Sequence, residues 1–456
     1  MIELSIPRRT KSCNGLYRRD FLRLGFCGLT GLTTAGLNPA GARTAGQSMK
    51  DTSMKDTSII WLWLGGGPSQ IETFDPKMDA PVEFRSTTGE VKTTIPGITF
   101  GGTFPKLAAR AHRIAVVRSF AHTNSGHGGG THWLNTGINF TGFDNNQPQQ
   151  APSLGSRIAY RRGLNHPVTG MPSYIKLGGR INADQPVYLG QAYGPLDAEK
   201  ARRNFQLRLS IEQLTERREL LKAFDLMRRD IDQSGIAEGM DRFEQQALRF
   251  LTSDAAKAFD LSLESPRLRD KYGYGRSPYS SAQIGECLLL ARRLCEAGAS
   301  IVTIGYGGWD HHNVNGTPPV KEGFEQCSPP LDQALAAFID DIYDRGLEKK
   351  ILLVMTGEFG RSPRIDTRFP GGRDHWAPLT PLLLIGGGLK MGQVIGRSTP
   401  RAEQPASTPY SPADLYATIF HVLGINGEVE PPPNRPGQRP IVENQHIGGR
   451  LIPELI

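Results

Sequence analysis

Five short apolar runs constrain the fold more than any other feature of this chain. They read "IIWLWLGGG" at 59–67, "RIAVVRS" at 113–119, "ASIVTIGYGG" at 299–308, "ILLVMTGEFG" at 351–360 and "PLLLIGGG" at 381–388. A strand with one wet face alternates apolar and polar residues. These runs do not alternate, so both of their faces are expected to be covered. Between them lie helical patterns: "FPKLAARAH" near 104, "QIGECLLLARRLCEAG" from 283, "PLDQALAAFIDDIYDRGL" from 330 and "SPADLYATIFHVLG" from 411. Strand and helix in alternation predict an α/β domain on a doubly wound, mainly parallel sheet with helices on both faces. The charged stretch at 200–265 reads as a helical insertion without catalytic groups. The proline-rich stretch at 426–456 reads as a tail that packs on the domain.

Sheets of this kind hold ligands beyond the carboxyl ends of their strands. After the first run come Ser69, Gln70, Glu72 and Asp75, behind glycines that let backbone approach a ligand; the spacing is not a dinucleotide fingerprint. After the second comes "SFAHTNSGHGGGTHWLNTG", read as a loop. It carries His122, His127 and His132, three of the ten histidines of the chain, with Thr123, Ser125 and Thr131 as hydroxyl nucleophile candidates. After the third, "GGWDHH" sets Asp310 and His312 two residues apart, so in an extended segment they point the same way and His311 points opposite. After the fourth comes Glu358, and a glycine-hinged loop then delivers Asp374 and His375. Carboxylates gathered at one edge would repel and raise one another's pKa; one divalent metal, or two, would hold them together. Arg361, Arg364 and Arg373 are candidates for positive charge facing an anionic substrate, with Arg361 placed among the catalytic residues.

The N-terminal run "YRRDFLRLGF" has the form of a twin-arginine export signal, with Arg18 and Arg19 as the pair and cleavage near residues 40–46. Its apolar stretch is too short and too rich in glycine to span a bilayer. Residues 1–46 hold seven Lys/Arg against two acids, net +5 of the formal +8, so the remaining chain is only about +3. That balance gives no basic surface for nucleic acid. Cys287 and Cys295 are eight residues apart on one helical pattern, about 12 Å along its axis at 1.5 Å per residue, and are expected to be buried thiols rather than a disulfide.

Taken in order, "LGGGPSQIETFDPK", "GHGGGTHWLNTG", "GGWDHH" and "TGEFGRSPRI…GGRDHW", together with the leader, resemble the exported domain of unknown function 1501 family, over roughly 57–425. That family is similar in fold to the alkaline phosphatase and sulfatase superfamily. The resemblance implies metal ligands at Asp310, His312, Glu358 and His375, to which the local pattern adds His127 and Asp374. It implies a divalent cofactor, zinc first, with calcium, magnesium or manganese as alternatives. The activity implied is hydrolysis of phosphate or sulfate esters outside the cytoplasm, on a small anionic or polysaccharide substrate. The alternative is a non-catalytic protein that binds a polysaccharide or a protein partner. Three departures from the superfamily pattern stand out: Gly66 or Gly67 occupies the place of its strand-one Asp, Phe359 follows Glu358 where a His is expected, and the sulfatase C-x-P-S-R run is missing. Formylglycine chemistry is therefore disfavoured, leaving Thr123, Ser125, Thr131 or a metal-activated water as nucleophile.

Overall fold

The first apolar run becomes the middle of the sheet. The computed structural model describes residues 56–139, 149–205, 250, 254–274, 283–425 and 448–456. The segment read as a leader at 1–46, most of the insertion read at 200–265 and residues 426–447 of the tail lie outside these. The strands are β1 (Ser58–Trp63), β2 (Glu90–Lys92), β3 (Thr99–Gly101), β4 (Ala115–Val117), β5 (Tyr174–Gly178), β6 (Leu196–Asp197), β7 (Ile301–Gly305), β8 (Ile351–Thr356), β9 (Gly360–Arg361), β10 (His375–Trp376), β11 (Leu382–Gly386) and β12 (Gln393–Ile395). The α-helices are α1 (Gln70–Thr73), α2 (Pro105–Ala108), α3 (His127–Thr136), α4 (Leu154–Arg162), α5 (Ala198–Phe205), α6 (Pro266–Lys271), α7 (Ile284–Glu296), α8 (Val320–Asp344) and α9 (Pro412–Leu423).

Eight strands form one sheet in the order β12-β4-β11-β8-β1-β7-β5-β6. Seven run the same way; β11 alone is antiparallel, to both β4 and β8. All five apolar runs are strands, and the sheet is doubly wound as expected from them. Alternate residues of β1 face opposite layers: Ile60 and Leu62 join one core with Leu288 of α7 and Leu335 of α8, whereas Ile59, Trp61 and Trp63 join the other with Ile158 of α4 and Ile419 of α9. Each such aliphatic side chain contributes about 1.5–3 kcal/mol by leaving water. Ile452 and Leu455 near the C-terminus are fully buried in the second core.

Three local expectations change. The helix expected from 330 starts ten residues earlier, at Val320, and runs through Pro329 and Pro330; a proline is tolerated best in a first turn, which is why Pro330 reads as a helix start. The pattern near 104 makes only the four-residue α2 and a turn of 3-10 helix at Ala111–Arg113. The glycine-rich "HGGGTHWLNT" is helix α3 rather than loop. Its glycines answer to packing: a Cβ on Gly130 would stand 2.8 Å from the carbonyl oxygen of Glu358, so α3 can lie against the β8–β9 turn only without side chains there.

Candidate metal centre

Register levels the strand ends from which the site is built. Trp63, the last residue of β1, pairs with Gly305 of β7 and with Thr356 of β8. The three chains therefore leave the sheet side by side, and the backbone keeps them together: Gly65 N–H donates to Tyr306 O at 3.2 Å, and Trp309 N–H to Gly65 O at 3.1 Å. Asp310 and His312 follow β7, and Glu358 follows β8. The reversal of β11 explains the last contribution. Because β11 starts at the edge where its neighbours end, the segment that precedes it, with Asp374 and His375, lies at that same edge.

Four side chains meet there. One donor atom each from His127, Asp310, His312 and His375 lie within 4.8 Å of one another. Asp310 Oδ1 is 2.7 Å from His312 Nε2 and 3.6 Å from His375 Nε2, while Asp310 Oδ2 is 3.5 Å from His127 Nε2. The Nε2 atoms of His312 and His375 stand 2.8 Å apart. His311, one residue along from both Asp310 and His312, is buried instead against Trp309 and Phe324, as the two-residue period requires.

The remaining ring nitrogens decide which lone pairs face the cluster. Nδ1 of His375 lies 2.9 Å from the carbonyl oxygen of Ser125, which can only accept, so Nδ1 carries the proton and neutral His375 turns a bare Nε2 inward. Nδ1 of His127 donates in the same way to Glu358 Oε1 at 2.8 Å. Glu358 also accepts from Gly66 N–H at 2.8 Å. It thus stands behind His127 and orients it, the carboxylate–histidine arrangement common around metals. Asp374 is further out and more exposed, its Oδ1 3.9 Å from His312 Nδ1, and it accepts from the N–H of His375 at 2.8 Å.

Electrostatics follow from this crowding. Burial alone would raise the pKa of Asp310, but hydrogen bonds from His127 and His312 and the charge of Arg361 hold it well below the usual carboxylate range. Burial opposes protonation of His127, yet its hydrogen bonds to Asp310 and Glu358 and their charges push it up to about 9. A cation bound here would displace that proton. Burial lowers the pKa of His375 despite the nearby Asp310, and the charges of Arg361, His127 and His312 lower it further, which keeps it in the neutral form a ligand needs.

The other expected site residues have different surroundings. Arg361 is 1% exposed, and its guanidinium is committed to the scaffold. It donates to Asp310 Oδ1 at 2.6 Å, to Gly67 O at 2.7 Å, to Trp309 O and Arg373 O at 3.2 Å, and to Gly66 O. Arg373 is fully buried and donates to the carbonyls of Ser362, Pro363 and Arg85; only Arg364 of the three arginines is exposed. The Ser125 hydroxyl accepts from Ala377 N–H at 3.1 Å. Thr131, one turn beyond His127 on α3, is buried, and Thr123 is exposed. His122 is buried, with its pKa pushed down to about 4 by desolvation, and packs its edge on Trp133. His132 turns inward, its Nδ1 3.1 Å from Ile138 O. Ser69 caps α1, Glu72 accepts from the hydroxyls of Ser86 and Thr88 and from the amides of Thr87 and Thr88, and Asp75 pairs with Lys77 and Arg118. Phe359, read from the sequence only as a departure from the expected His, stacks its ring on His375 at 4.2 Å; an apolar residue inside an otherwise polar loop was the signal of that role.

A single divalent ion fits these donors. Donors about 2.0–2.2 Å from one ion lie about 3–4 Å from each other, close to the spacings found, and two of the imidazoles already have their outer nitrogens bound to acceptors. Three imidazoles and one carboxylate suit zinc better than calcium or magnesium, which prefer all-oxygen shells.

Solved structures overlap the fold at low similarity. The phosphonate monoester hydrolase SpPMH from Silicibacter pomeroyi is 10% identical with a TM-score of 0.40, over 87% of this chain and 76% of that one. The alkaline phosphatase from the Antarctic bacterium TAB5 is 12% identical at TM-score 0.34, over 81% and 99%. The PsFucS1 sulfatase from Pseudoalteromonas sp. is 12% identical at TM-score 0.37, over 81% and 68%. Overlap of this size carries no conclusion about activity. No curated protein matches the sequence. The family model "Protein of unknown function (DUF1501)" matches residues 56–455, nearly everything after the segment read as a leader, and the chain belongs to that family.

Proposed function

We propose that the protein is an exported metal-dependent hydrolase of phosphate or sulfate esters. The observation that carries this reading is the pair of imidazoles, His127 and His375, whose Nδ1–H groups are committed to Glu358 and to the Ser125 carbonyl, so that both Nε2 atoms face Asp310. With His312 they would hold a divalent ion, zinc before manganese, magnesium or calcium. Such an ion supplies Lewis acidity at an ester oxygen and lowers the pKa of water near 7. Asp310 balances the charge of the centre and orients His312; Glu358 fixes His127; Phe359 covers the face of His375. Ser125 and Thr131 remain the hydroxyl candidates, Thr131 by its place on the His127 face of α3.

The test uses purified full chain with added Zn²⁺, assayed on an aryl phosphate and an aryl sulfate. Hydrolysis lost in Asp310→Asn and in the presence of chelator supports the reading; a chain that binds Zn²⁺ yet cleaves neither sinks it. One observation favours a second reading, a non-catalytic binder of polysaccharide or protein: Arg361 and Arg373, expected to face an anionic substrate, are bound to backbone carbonyls. Among the described residues no helix is long and apolar enough to cross a membrane. Export to the periplasm or beyond rests on Arg18 and Arg19 as the signal read by the twin-arginine machinery. Replacing both by Lys should leave the protein in the cytoplasm; unchanged secretion would refute that part.

A further inference from the structure

We infer that Arg361 is a permanent internal cation of this centre, and that the centre therefore takes one metal ion rather than two. The inference rests on the reading of the four donors as a metal site and adds its stoichiometry. The residues gathered at the sheet edge include three acids, Asp310, Glu358 and Asp374, enough on composition for a second divalent ion. Their placement is what excludes it. Glu358 holds His127 Nδ1 and Gly66 N–H through Oε1, its Oε2 being buried without a hydrogen-bond partner among the described residues, and Asp374 is turned to the exposed rim, its Oδ2 3.8 Å from Arg368. Among the described residues the four donors form the one cluster of His, Cys, Asp and Glu with the spacing of a metal site.

A second ion beside the first would have to share Asp310, and that side of the carboxylate is filled. Arg361 Nη2 lies 2.6 Å from Asp310 Oδ1, and Nη1 lies 3.0 Å from His312 Nε2. The guanidinium cannot swing away to admit an ion. Nε is bound to Gly67 O, the Nη atoms to the carbonyls of Gly66, Trp309 and Arg373, and the backbone N–H and C=O of Arg361 are both held by the side-chain amide of Gln70, at 2.8 Å each. Nor do the residues beside the guanidinium offer a carboxylate: Gly66 and Gly67, whose carbonyls it binds, stand there, and a Cβ on either would lie 2.5–2.6 Å from Asp310 N or the Phe359 ring. A buried arginine keeps its charge at every ordinary pH, so it serves as a fixed positive partner for Asp310 that no chelator removes.

The experiment is a metal count on purified full-length protein, dialysed against Zn²⁺ and separately Mn²⁺ at up to about a hundred times the measured dissociation constant, with His375→Ala and His127→Gln beside it. One ion per wild-type chain, falling to none in whichever of the two variants keeps the wild-type circular dichroism, is the expected result. Two ions per chain would overturn the inference while leaving the metal-centre reading intact. One ion retained in the folded variants would place the counted ion elsewhere and overturn it as well. No ion in the wild type would remove the metal-centre reading, and the inference with it.

Discussion

The side-chain amide of Gln70 pairs with the main chain of Arg361 as a neighbouring strand would: its Nε2 donates to Arg361 O and its Oε1 accepts from Arg361 N–H, both at 2.8 Å. On its other edge Arg361 pairs in antiparallel register with His375. A residue just past β1 thus fixes the two-residue ladder that carries a ligand of the centre. Gln70→Ala leaves two buried backbone groups without partners, at about 1–3 kcal/mol of stability. Because the ladder sets where His375 stands, affinity for Zn²⁺ is expected to fall by about tenfold to a hundredfold as well. Thermal melting and chelator competition on the same sample check both. A melting shift with unchanged affinity would confine Gln70 to the fold.

The four donors and their supports should separate by degree. His312→Ala and His375→Ala each remove a ligand and are expected to abolish stoichiometric metal. Asp374→Asn, on the exposed rim, should only weaken binding. Glu358→Gln keeps an acceptor for His127 Nδ1–H but loses the charge behind it, and is expected to cost about tenfold to a hundredfold in affinity. Metal analysis after gel filtration reads all four. Equal losses in Asp374→Asn and His375→Ala would mean that Asp374 is itself a ligand.

Gly66 has φ +112°, and a Cβ there would stand 2.6 Å from Asp310 N and 2.8 Å from the carbonyl carbon of Trp309. Both are backbone atoms, so nothing flexible can yield. Gly66→Ala is expected to destabilise by about 1–3 kcal/mol from the backbone conformation alone, with the contact adding to it. The displaced residue would be Asp310, so metal should be lost in whatever fraction folds. Denaturant melts with metal analysis test this; a variant as stable as wild type with a full ion would show the loop is slack.

What the sequence exposed and what it hid divides along physical lines. Continuous apolar runs reveal buried strands because burial on both faces leaves no room for polar residues, and the five runs are all strands of the one sheet. The convergence of Asp310, His312 and His375 was legible because strand ends share an edge and residues two apart share a side. The direction of β11 was not legible: an antiparallel strand buried on both faces reads the same as a parallel one. Helix α3 was hidden by glycines that are there for close packing, Gly130 on Glu358 and Gly129 on Asn124, rather than for a turn. The arginines misled most. Charge near a site suggests substrate, whereas Arg361 gives its donors to Asp310, His312 and backbone carbonyls, and Arg373 gives its own to backbone carbonyls.

A second buried charge cluster lies away from the centre and should be independent of it. Arg292, 1% exposed on α7, reaches Glu264 at 2.6 Å, Asp341 of α8 at 3.0 Å and Glu296, and Tyr272 donates to the same Asp341 at 2.9 Å. Removing one partner of a buried set leaves the others uncompensated, so Arg292→Ala is expected to cost about 3–5 kcal/mol with the metal count unchanged. The network also sets an acid limb. Burial would raise the pKa of Glu264, but Arg293 and Arg292 outweigh it and hold the carboxyl below its ordinary value. A depressed folded pKa contributes stability above the unfolded value, about 4.3 for Glu, that is lost as pH falls through the folded one. Wild type should therefore lose stability on acidification below about pH 5 more steeply than Arg292→Ala, in which Glu264 keeps Arg293 and Arg345 as its partners among the described residues. Parallel acid limbs in denaturant melts from pH 7 to pH 3 would show that the cluster contributes nothing through Glu264.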